Sequence, residues 1–290
     1  MSVDRLQEKI RKGKNVLMVD LTLDPSALPP AFLEKDCSGA RKVQSYAREL
    51  LIGLKGLVPA VRFRMSPFAL MGPEGLDVLR ELLKAAAAQG YYVALDVPML
   101  TSSEDAALAA RALWDSEGVY PCDGAIVSAY SGSDVLKPFL TYCTASKKDL
   151  FVLVRTSNRS ASEMQDLLTG SRVVHGAAAD LAARLGDECM GRSGFSRVGI
   201  LTSACAQESL RSLRMRYPKM FMLADGLDYP WGNGRGASYA FDRLGHGGAV
   251  CVASSVTCAW KQDGEGEPVR AAQEAAQRIN KNLLRYVTVL

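Results

Sequence analysis

The sequence predicts an α/β fold of the (β/α)8, or TIM-barrel, class. Eight short apolar runs rich in Val, Ile, Leu and Phe recur along the chain, each followed by a longer helical pattern, which is typical of βα units around a parallel sheet. The length of 290 residues is close to the roughly 250 residues of such barrels. A doubly wound open sheet is the alternative, but the alternation is unbroken and no Gly-rich dinucleotide turn follows the first run. We therefore expect a single barrel domain over residues 1–290 with an N-terminal helical extension.

The predicted strands are the apolar runs themselves, because each is short and bounded by turn residues. They cover residues 16–21, 58–63, 91–95, 124–127, 150–154, 198–201, 220–223 and 249–253. Eight parallel strands are enough to close a barrel whose interior is filled by side chains. Residues 225–236 are rich in Gly, Pro and aromatic residues and are predicted to form a long loop after the seventh strand.

Helices are predicted between the strands, where apolar residues recur with helical spacing. They cover residues 41–54, 74–88, 104–116, 135–145, 161–168, 177–189, 207–216, 237–244 and 269–285. The charged segment 1–10 is helix-like and forms the predicted extension. The helix over 104–116 has a clear start, because Ser102 and Ser103 can cap it and Glu104 and Asp105 complement its dipole.

Composition and charge exclude several classes of function. The formal charge of +4 is small for this length and Lys and Arg form no runs, so we expect no nucleic-acid partner. No run of about 18 apolar residues occurs and the N-terminus has no apolar signal core, so we expect no membrane association and a cytoplasmic location. The seven cysteines form no CxxC pair and are predicted to be reduced, structural thiols. His175 and His246 lie far apart in sequence, and neither a metal nor a cofactor is expected.

Polar residues follow the predicted strands, and a barrel would gather them at one mouth. Asp96 ends the third strand, where its carboxylate either binds a ligand or accepts hydrogen bonds from backbone amides. Residues 155–158, Arg-Thr-Ser-Asn, directly follow the fifth strand, and this favours a binding role. Residues 232–236, Gly-Asn-Gly-Arg-Gly, could cradle a phosphate, although Gly-rich turns are also common before helices. The other polar residues at strand ends are Asp20, Asp24, Arg62, Arg64, Thr101, Ser128, Tyr130, Thr202, Ser203, Asp225, Asp228, Ser254 and Ser255.

Several segments, taken in order, resemble the long bacterial (type 2) form of orotidine 5′-phosphate decarboxylase. The clearest are residues 151–158, Phe-Val-Leu-Val-Arg-Thr-Ser-Asn, with Gln165 further on, and residues 132–140, Gly-Ser-Asp-Val-Leu-Lys-Pro-Phe-Leu. Residues 23–25 and 72–76 add supporting matches. The resemblance is collinear over nearly the whole chain. It implies a (β/α)8 barrel of the family that performs the last step of UMP synthesis.

The chain departs from the family pattern at the positions that carry the chemistry. The family's Asp-x-Lys-x-x-Asp motif after the third strand reads Asp96-Val97-Pro98-Met99-Leu100-Thr101 here, so only Asp96 remains. Arg62 stands where the family has a lysine at the end of the second strand. The family's Gly-rich phosphate loop is replaced by residues 224–234, which contain no glutamine. The family's Ser-Arg pair after the eighth strand, whose arginine binds the phosphate, reads Ser255-Val256 here.

These departures predict loss of decarboxylase activity. Loss of carbon dioxide leaves a carbanion at C6 of the pyrimidine, which the family's lysine stabilises and then protonates. Pro98 can do neither, and Thr101 carries no charge. Arg62 is permanently protonated and is therefore far too weak an acid for this step, although it can bind an anion.

We therefore expect a binding or regulatory subunit. The resemblance implies a substrate-binding set of Asp24, Arg62, Ser157 and Asn158, with Asp96 as the surviving catalytic residue. It also implies a pyrimidine nucleotide as a weak ligand, and a homodimer or a heterodimer with an active paralogue. The alternative is a divergent enzyme, either a weak orotidylate decarboxylase that uses another cation or a barrel retuned to a different ligand.

Overall fold

The computed structural model describes residues 2–263 and 267–289. A closed barrel of eight parallel strands forms its centre, which confirms the predicted fold class. The barrel strands are β1 Leu17–Asp20, β2 Ala60–Arg64, β3 Tyr92–Asp96, β4 Gly124–Ser128, β5 Asp149–Leu153, β8 Ser196–Ser203, β9 Met220–Asp225 and β10 Gly248–Val252. Around the barrel they follow the order β1-β10-β9-β8-β5-β4-β3-β2. Two further strands, β6 Leu168–Thr169 and β7 Arg172–Val173, pair as a short antiparallel hairpin. All eight predicted strands are present, and their ends differ from the prediction by at most two residues.

Helices separate the barrel strands and cover the outside of the barrel. They are α1 Val3–Gly13, α2 Pro30–Leu33, α3 Gly39–Gly53, α4 Met65–Leu70, α5 Gly72–Ala88, α6 Ser103–Trp114, α7 Lys137–Ala145, α8 Val174–Gly186, α9 Gln207–Arg216, α10 Gly234–Ser238, α11 Ser254–Thr257, α12 Trp260–Asp263 and α13 Pro268–Leu283. In the part of the chain that the structure describes, no helix combines the length and the apolarity needed to span a bilayer.

Two helix predictions differ from the structure: the α-helix predicted over 161–168 is absent, and the one predicted over 237–244 is mostly absent. Residues 161–168 form no α-helix, because a 3-10 turn over Arg159–Glu163 leads into the β6–β7 hairpin. The Gln165 side chain bonds instead to the backbone N–H of Thr156 at 2.8 Å, so the segment supports the loop after β5. The helix predicted over 237–244 ends early, because Asp242 Oδ1 accepts hydrogen bonds from two later backbone N–H groups and forms a turn of the kind that competes with helix.

The register of the strands brings charged side chains to the carboxyl end of the barrel. Arg62 on β2 lies level with Asp20 on β1 and with Ala94 on β3. Alternate residues of a strand face the same side, so Asp96, two residues beyond Ala94, faces the same side as Arg62. Asp225 is the last residue of β9. These positions form the mouth of the barrel.

The N-terminal helix closes the opposite, amino end of the barrel. α1 buries Val3, Leu6 and Ile10 on one face, the spacing expected of an amphipathic helix packed on a core. From the same face, Gln7 Oε1 accepts a hydrogen bond from the backbone N–H of Gly247, just before β10, at 2.8 Å. The predicted extension is therefore packed into the barrel's base.

Asp149, the first residue of β5, is a buried carboxyl group at this end of the barrel. The Tyr92 hydroxyl donates a hydrogen bond to Asp149 Oδ2 at 2.7 Å. Burial raises the pKa of Asp149 from its ordinary value of 3.8 to about 8, although the hydrogen bond from Tyr92 lowers it. The folded protein therefore retains this proton at pH values where the unfolded chain has lost it.

The stability of the protein is expected to fall as pH rises between the unfolded and folded pKa values of Asp149. In that window the folded state binds one more proton than the unfolded state, so this group contributes a slope of at most about 1.4 kcal/mol per pH unit. Asp149→Asn should flatten the pH dependence, measured by urea unfolding across the window. Asp36→Asn, which removes an exposed carboxylate, is the matched control and should leave the wild-type slope. An unchanged slope in Asp149→Asn would refute the assignment.

Candidate functional site

The mouth of the barrel is centred on Arg62, whose guanidinium is enclosed by carboxylates. Its side chain is only 6% exposed. Arg62 Nη2 donates a hydrogen bond to Asp96 Oδ2 at 2.6 Å, and Nη1 lies 3.5 Å from Asp225 Oδ2. One arginine on β2 thereby links the ends of β3 and β9. Arg62 and Asp96 were both predicted at the mouth, and the structure makes them a single ion-paired unit.

The charges of this unit depend on burial and on each other. Burial by itself disfavours the charged guanidinium, but the carboxylates of Asp225, Asp96 and Asp20 outweigh it and hold the pKa of Arg62 above its ordinary value. Burial raises the pKa of Asp96, and the pairing with Arg62 offsets part of that rise. Arg62 is thus a fixed cation and supplies no proton for acid catalysis.

A second arginine stands beside the first, nearer to solvent. Arg64 Nε lies 3.1 Å from Asp20 Oδ2, and the side chain of Asp20 is buried. Asp20 Oδ1 also accepts a hydrogen bond from the backbone N–H of Thr22 at 2.8 Å. The two arginines therefore face three carboxylates, those of Asp20, Asp96 and Asp225. When all are ionised, two positive and three negative charges leave the cluster with one net negative charge.

The loop after β9 places a carboxylate on backbone amides at the start of α11. Asp228 Oδ2 accepts a hydrogen bond from Ala253 N at 2.6 Å, and Asp228 Oδ1 accepts one from Ser255 N at 2.8 Å. Such amides are the groups that bind phosphate in many proteins. Here the carboxylate of Asp228 occupies these amides.

The Gly-rich segment over residues 232–236 serves as a helix start. Asn233 Oδ1 accepts a hydrogen bond from the backbone N–H of Gly236 at 2.8 Å and caps α10. The sequence allowed this segment to be either a phosphate cradle or a turn before a helix, and in the structure it begins a helix. The backbone N–H of Gly236 is already engaged by Asn233.

Ser157 is covered by the loop that follows β9. Its Oγ donates a hydrogen bond to the carbonyl oxygen of Asp225 at 3.0 Å. Gly226 has a φ of +99°, and a Cβ there would lie 2.4 Å from Ser157 Oγ, so only glycine permits this approach. The Trp231 Nε1–H donates to the carbonyl oxygen of Ser157 at 3.2 Å. Ser157 is therefore tied to the loop by both its side chain and its backbone.

Arg155, which the sequence favoured for binding, is paired within the protein. Its Nε and Nη2 donate to the two carboxylate oxygens of Asp166 at 2.9 and 2.8 Å, a bidentate geometry that holds an arginine firmly. His175 Nδ1 lies 3.1 Å from Asp166 Oδ1. The contacts among Arg155, Asp166 and His175 stabilise the loop after β5.

The remaining predicted site residues lie on the rim. Asp24 is exposed, and its carboxylate accepts a hydrogen bond from a backbone N–H of its own turn. Asn158 is also exposed and donates to a serine in its own turn. Pro98 is half-buried and Thr101 exposed in the loop between β3 and α6. Among the described residues, no hydrogen bond or ion pair joins any of these four to Arg62.

A cavity of about 690 Å³ opens beside the charged cluster, within the size range of small-ligand sites. The polar side chains on its wall include those of Asp24, Arg64, Asp228, Ser255 and Lys261. Ser255 Oγ is buried and has no hydrogen-bond partner among the described residues, and the same holds for Arg62 Nε and for Thr202 Oγ1 near the end of β8. The mouth thus keeps polar atoms with unused hydrogen-bonding capacity.

Asp225 and Asp228 are the important mouth residues to which the sequence pattern gave no role. Asp225 ends the seventh barrel strand and Asp228 follows it, and that position was the only signal they offered in the sequence. Over residues 2–263 and 267–289, no group of three or more His, Cys, Asp or Glu side chains has the arrangement of a metal site.

Comparison with known proteins finds orotidine 5′-phosphate decarboxylases, although no protein-family model matches the chain. The enzyme of Clostridium novyi is 27% identical over 266 residues, which cover 91% of this chain and 91% of that protein. The enzyme of Rhodopirellula baltica is 29% identical over 239 residues and covers 79% of this chain and 77% of that protein. The solved structure of Leishmania donovani OMP decarboxylase has a TM-score of 0.75 at 23% identity and covers 98% of this chain and 99% of that one. The predicted resemblance to this family is confirmed.

Proposed function

We propose that this homologue of the orotidine 5′-phosphate decarboxylases binds a small polar ligand at its barrel mouth and does not decarboxylate orotidylate. The pairing of Arg62 with Asp96 and Asp225 carries the proposal. The only buried cation of the mouth cluster is engaged by carboxylates. In the family motif the lysine stands two residues after the aspartate, where both side chains face the same side. Pro98 holds that position here.

The charge of the mouth also opposes the family's substrate. Orotidylate carries a carboxylate and a phosphate, both anionic. The described cluster of two arginines and three aspartates has a net negative charge when ionised, and Asp228 adds another on the amides that would receive the phosphate. Like charges at this range disfavour binding, most strongly where water is excluded.

A binding role is supported by what remains open at the mouth. The cavity has the volume of a small-ligand site, and Ser255 on its wall has a hydroxyl with no hydrogen-bond partner among the described residues. A pyrimidine nucleotide bound weakly is the ligand class that the family relationship favours. Asp24 and Asn158 belong to the proposed binding set from the rim, and Asp96 and Ser157 from the centre.

The proposal includes a regulatory role for the chain as a single barrel domain. The form we propose is a cytoplasmic homodimer, or a heterodimer with an active paralogue. The resemblance to the family supports this regulatory role and the dimer, because a barrel without the catalytic lysine can still present the family's interaction surfaces.

UMP is expected to bind with a dissociation constant of about 100 µM or weaker, because charge-assisted contacts worth roughly 1.5–3 kcal/mol each are missing from its phosphate. Asp228→Ala frees the amides of Ala253 and Ser255 and removes a negative charge, so it should tighten UMP binding about tenfold. Isothermal titration calorimetry measures both constants.

Two further variants make this test specific. Asp228→Asn removes the charge but keeps an oxygen on the amides, so its gain should be smaller than that of Asp228→Ala. Asp187→Ala removes an exposed carboxylate at the other end of the barrel and should change nothing. Sub-micromolar binding of UMP by the unmodified protein would overturn the proposal, since it would mean that another cation holds the phosphate.

A further inference from the structure

We propose that the amino end of the barrel carries a second binding site, remote from the mouth, that takes a phosphorylated small molecule. A cavity of about 470 Å³ lies there between α1 and the segments that lead into β2 and β3. Its cationic wall consists of Arg5, Lys9, Lys12 and Lys55, and none of the described Asp or Glu residues lines it.

Among the described residues, most of these cations have no partner. Lys12 Nζ lies 2.6 Å from Glu8 Oε1, so its charge is partly neutralised. Over the described ranges, no ion pair or hydrogen bond engages the side chains of Arg5, Lys9 or Lys55. The charge of Arg5 acts against that of Lys9, and an anion placed between them would relieve this repulsion.

Lys9 differs from the other cations of this wall, because it is half-buried. Burial and then the charge of Arg5 lower the pKa of Lys9, and the longer-range attraction of Asp123 and Glu8 does not compensate. Solvated surface lysines do not meet this penalty. A bound anion would remove it by restoring an opposite charge next to the ammonium.

The remaining wall of the cavity defines the ligand class. Leu57, Val58, Pro59 and Tyr91 form an apolar wall, and the Tyr91 hydroxyl already donates to the carbonyl oxygen of Leu51. A guanidinium with ammonium groups suits the several acceptor oxygens of a phosphate, and the apolar wall suits an organic group attached to it. The cations surround a pocket rather than form an extended track, so a small molecule fits better than a nucleic acid backbone.

Calorimetric titration of the full chain with inorganic pyrophosphate, at constant ionic strength in chloride, tests the site. We expect saturable binding with a dissociation constant of about 1 mM or tighter. Lys9→Gln should weaken binding about tenfold or more, because it removes one charge-assisted contact. Lys9→Arg keeps the charge and should stay within about threefold of the unmodified protein. Thermal unfolding of each variant checks that it is folded.

Two control variants locate the bound pyrophosphate. Lys137→Gln removes an exposed lysine at the start of α7, and Lys261→Gln removes the lysine of the mouth cavity; neither should weaken binding. The proposal is overturned if pyrophosphate does not bind at about 10 mM, if Lys9→Gln binds as well as the unmodified protein, or if Lys261→Gln shows the loss instead. Tighter binding of a short DNA duplex than of pyrophosphate at the same salt concentration would also overturn it, in favour of a nucleic-acid surface.

Discussion

Purified protein is expected to show no orotidylate decarboxylation above the uncatalysed background. The carbanion that forms at C6 needs a nearby cation to stabilise it and an acid to protonate it. Pro98 supplies neither, and Arg62 is held on Asp96 and Asp225. The assay follows the loss of orotidylate absorbance at high protein concentration, with a preparation washed free of host decarboxylase.

Restoring single family residues should not revive the activity. Each missing electrostatic contact of this kind typically costs about 10²–10³ in rate, and groups that act as a unit do not contribute additively. Pro98→Lys alone is therefore expected to stay inactive. The variant that combines Pro98→Lys, Thr101→Asp and Arg62→Lys is the one in which a trace of turnover is expected. Turnover by the unmodified protein that survives purification and disappears in Asp96→Ala would contradict the loss of activity.

The barrel itself was predictable because its strands leave a local signal. A strand buried on both faces is a largely apolar run, and the eight predicted strands are of this kind, with Asp20 and Arg62 as charged residues near the ends of the first two. The short helices α2, α4, α11 and α12 were missed, since four to six residues are too few to establish a helical period. The helix predicted over 161–168 failed for a different reason, because Gln165 is committed to the loop after β5.

The site was predictable only as a set of strand-end positions. Arg62 and Asp96 could be placed at the mouth, because parallel strands of a barrel end on one face. Their mutual pairing depends on the register between the neighbouring strands β2 and β3, and the arrival of Asp225 from β9 depends on barrel closure; no local pattern encodes either. The contact of Asp228 with Ala253 and Ser255 likewise joins two loops that are distant in sequence. Such contacts decide whether a polar residue is free for a ligand, and they require the structure.

Arg62→Met is expected to lower the free energy of unfolding by about 2–4 kcal/mol near neutral pH, because it leaves the partly buried carboxylates of Asp96 and Asp225 without their cation. Asp96 is the group most affected, since burial already raises its pKa and loss of the ion pair raises it further. A carboxyl group with a raised folded pKa costs stability as pH rises above its unfolded pKa, so the loss should be larger near pH 8 than near pH 5. Urea unfolding of the variant and of the unmodified protein at both pH values measures the difference.

Two other substitutions separate the buried ion pairs from general effects of losing a cation. Arg62→Lys keeps the charge but lacks the planar guanidinium that contacts both Asp96 and Asp225. Its loss of unfolding free energy should therefore be smaller than that of Arg62→Met. Arg48→Met breaks an exposed pair with Glu81 and should cost less than about 1 kcal/mol. If Arg62→Met costs no more than Arg48→Met, then Arg62 is not committed to the two carboxylates. Arg62 would then be available to an anionic ligand, and its pairing would no longer preclude the family's chemistry.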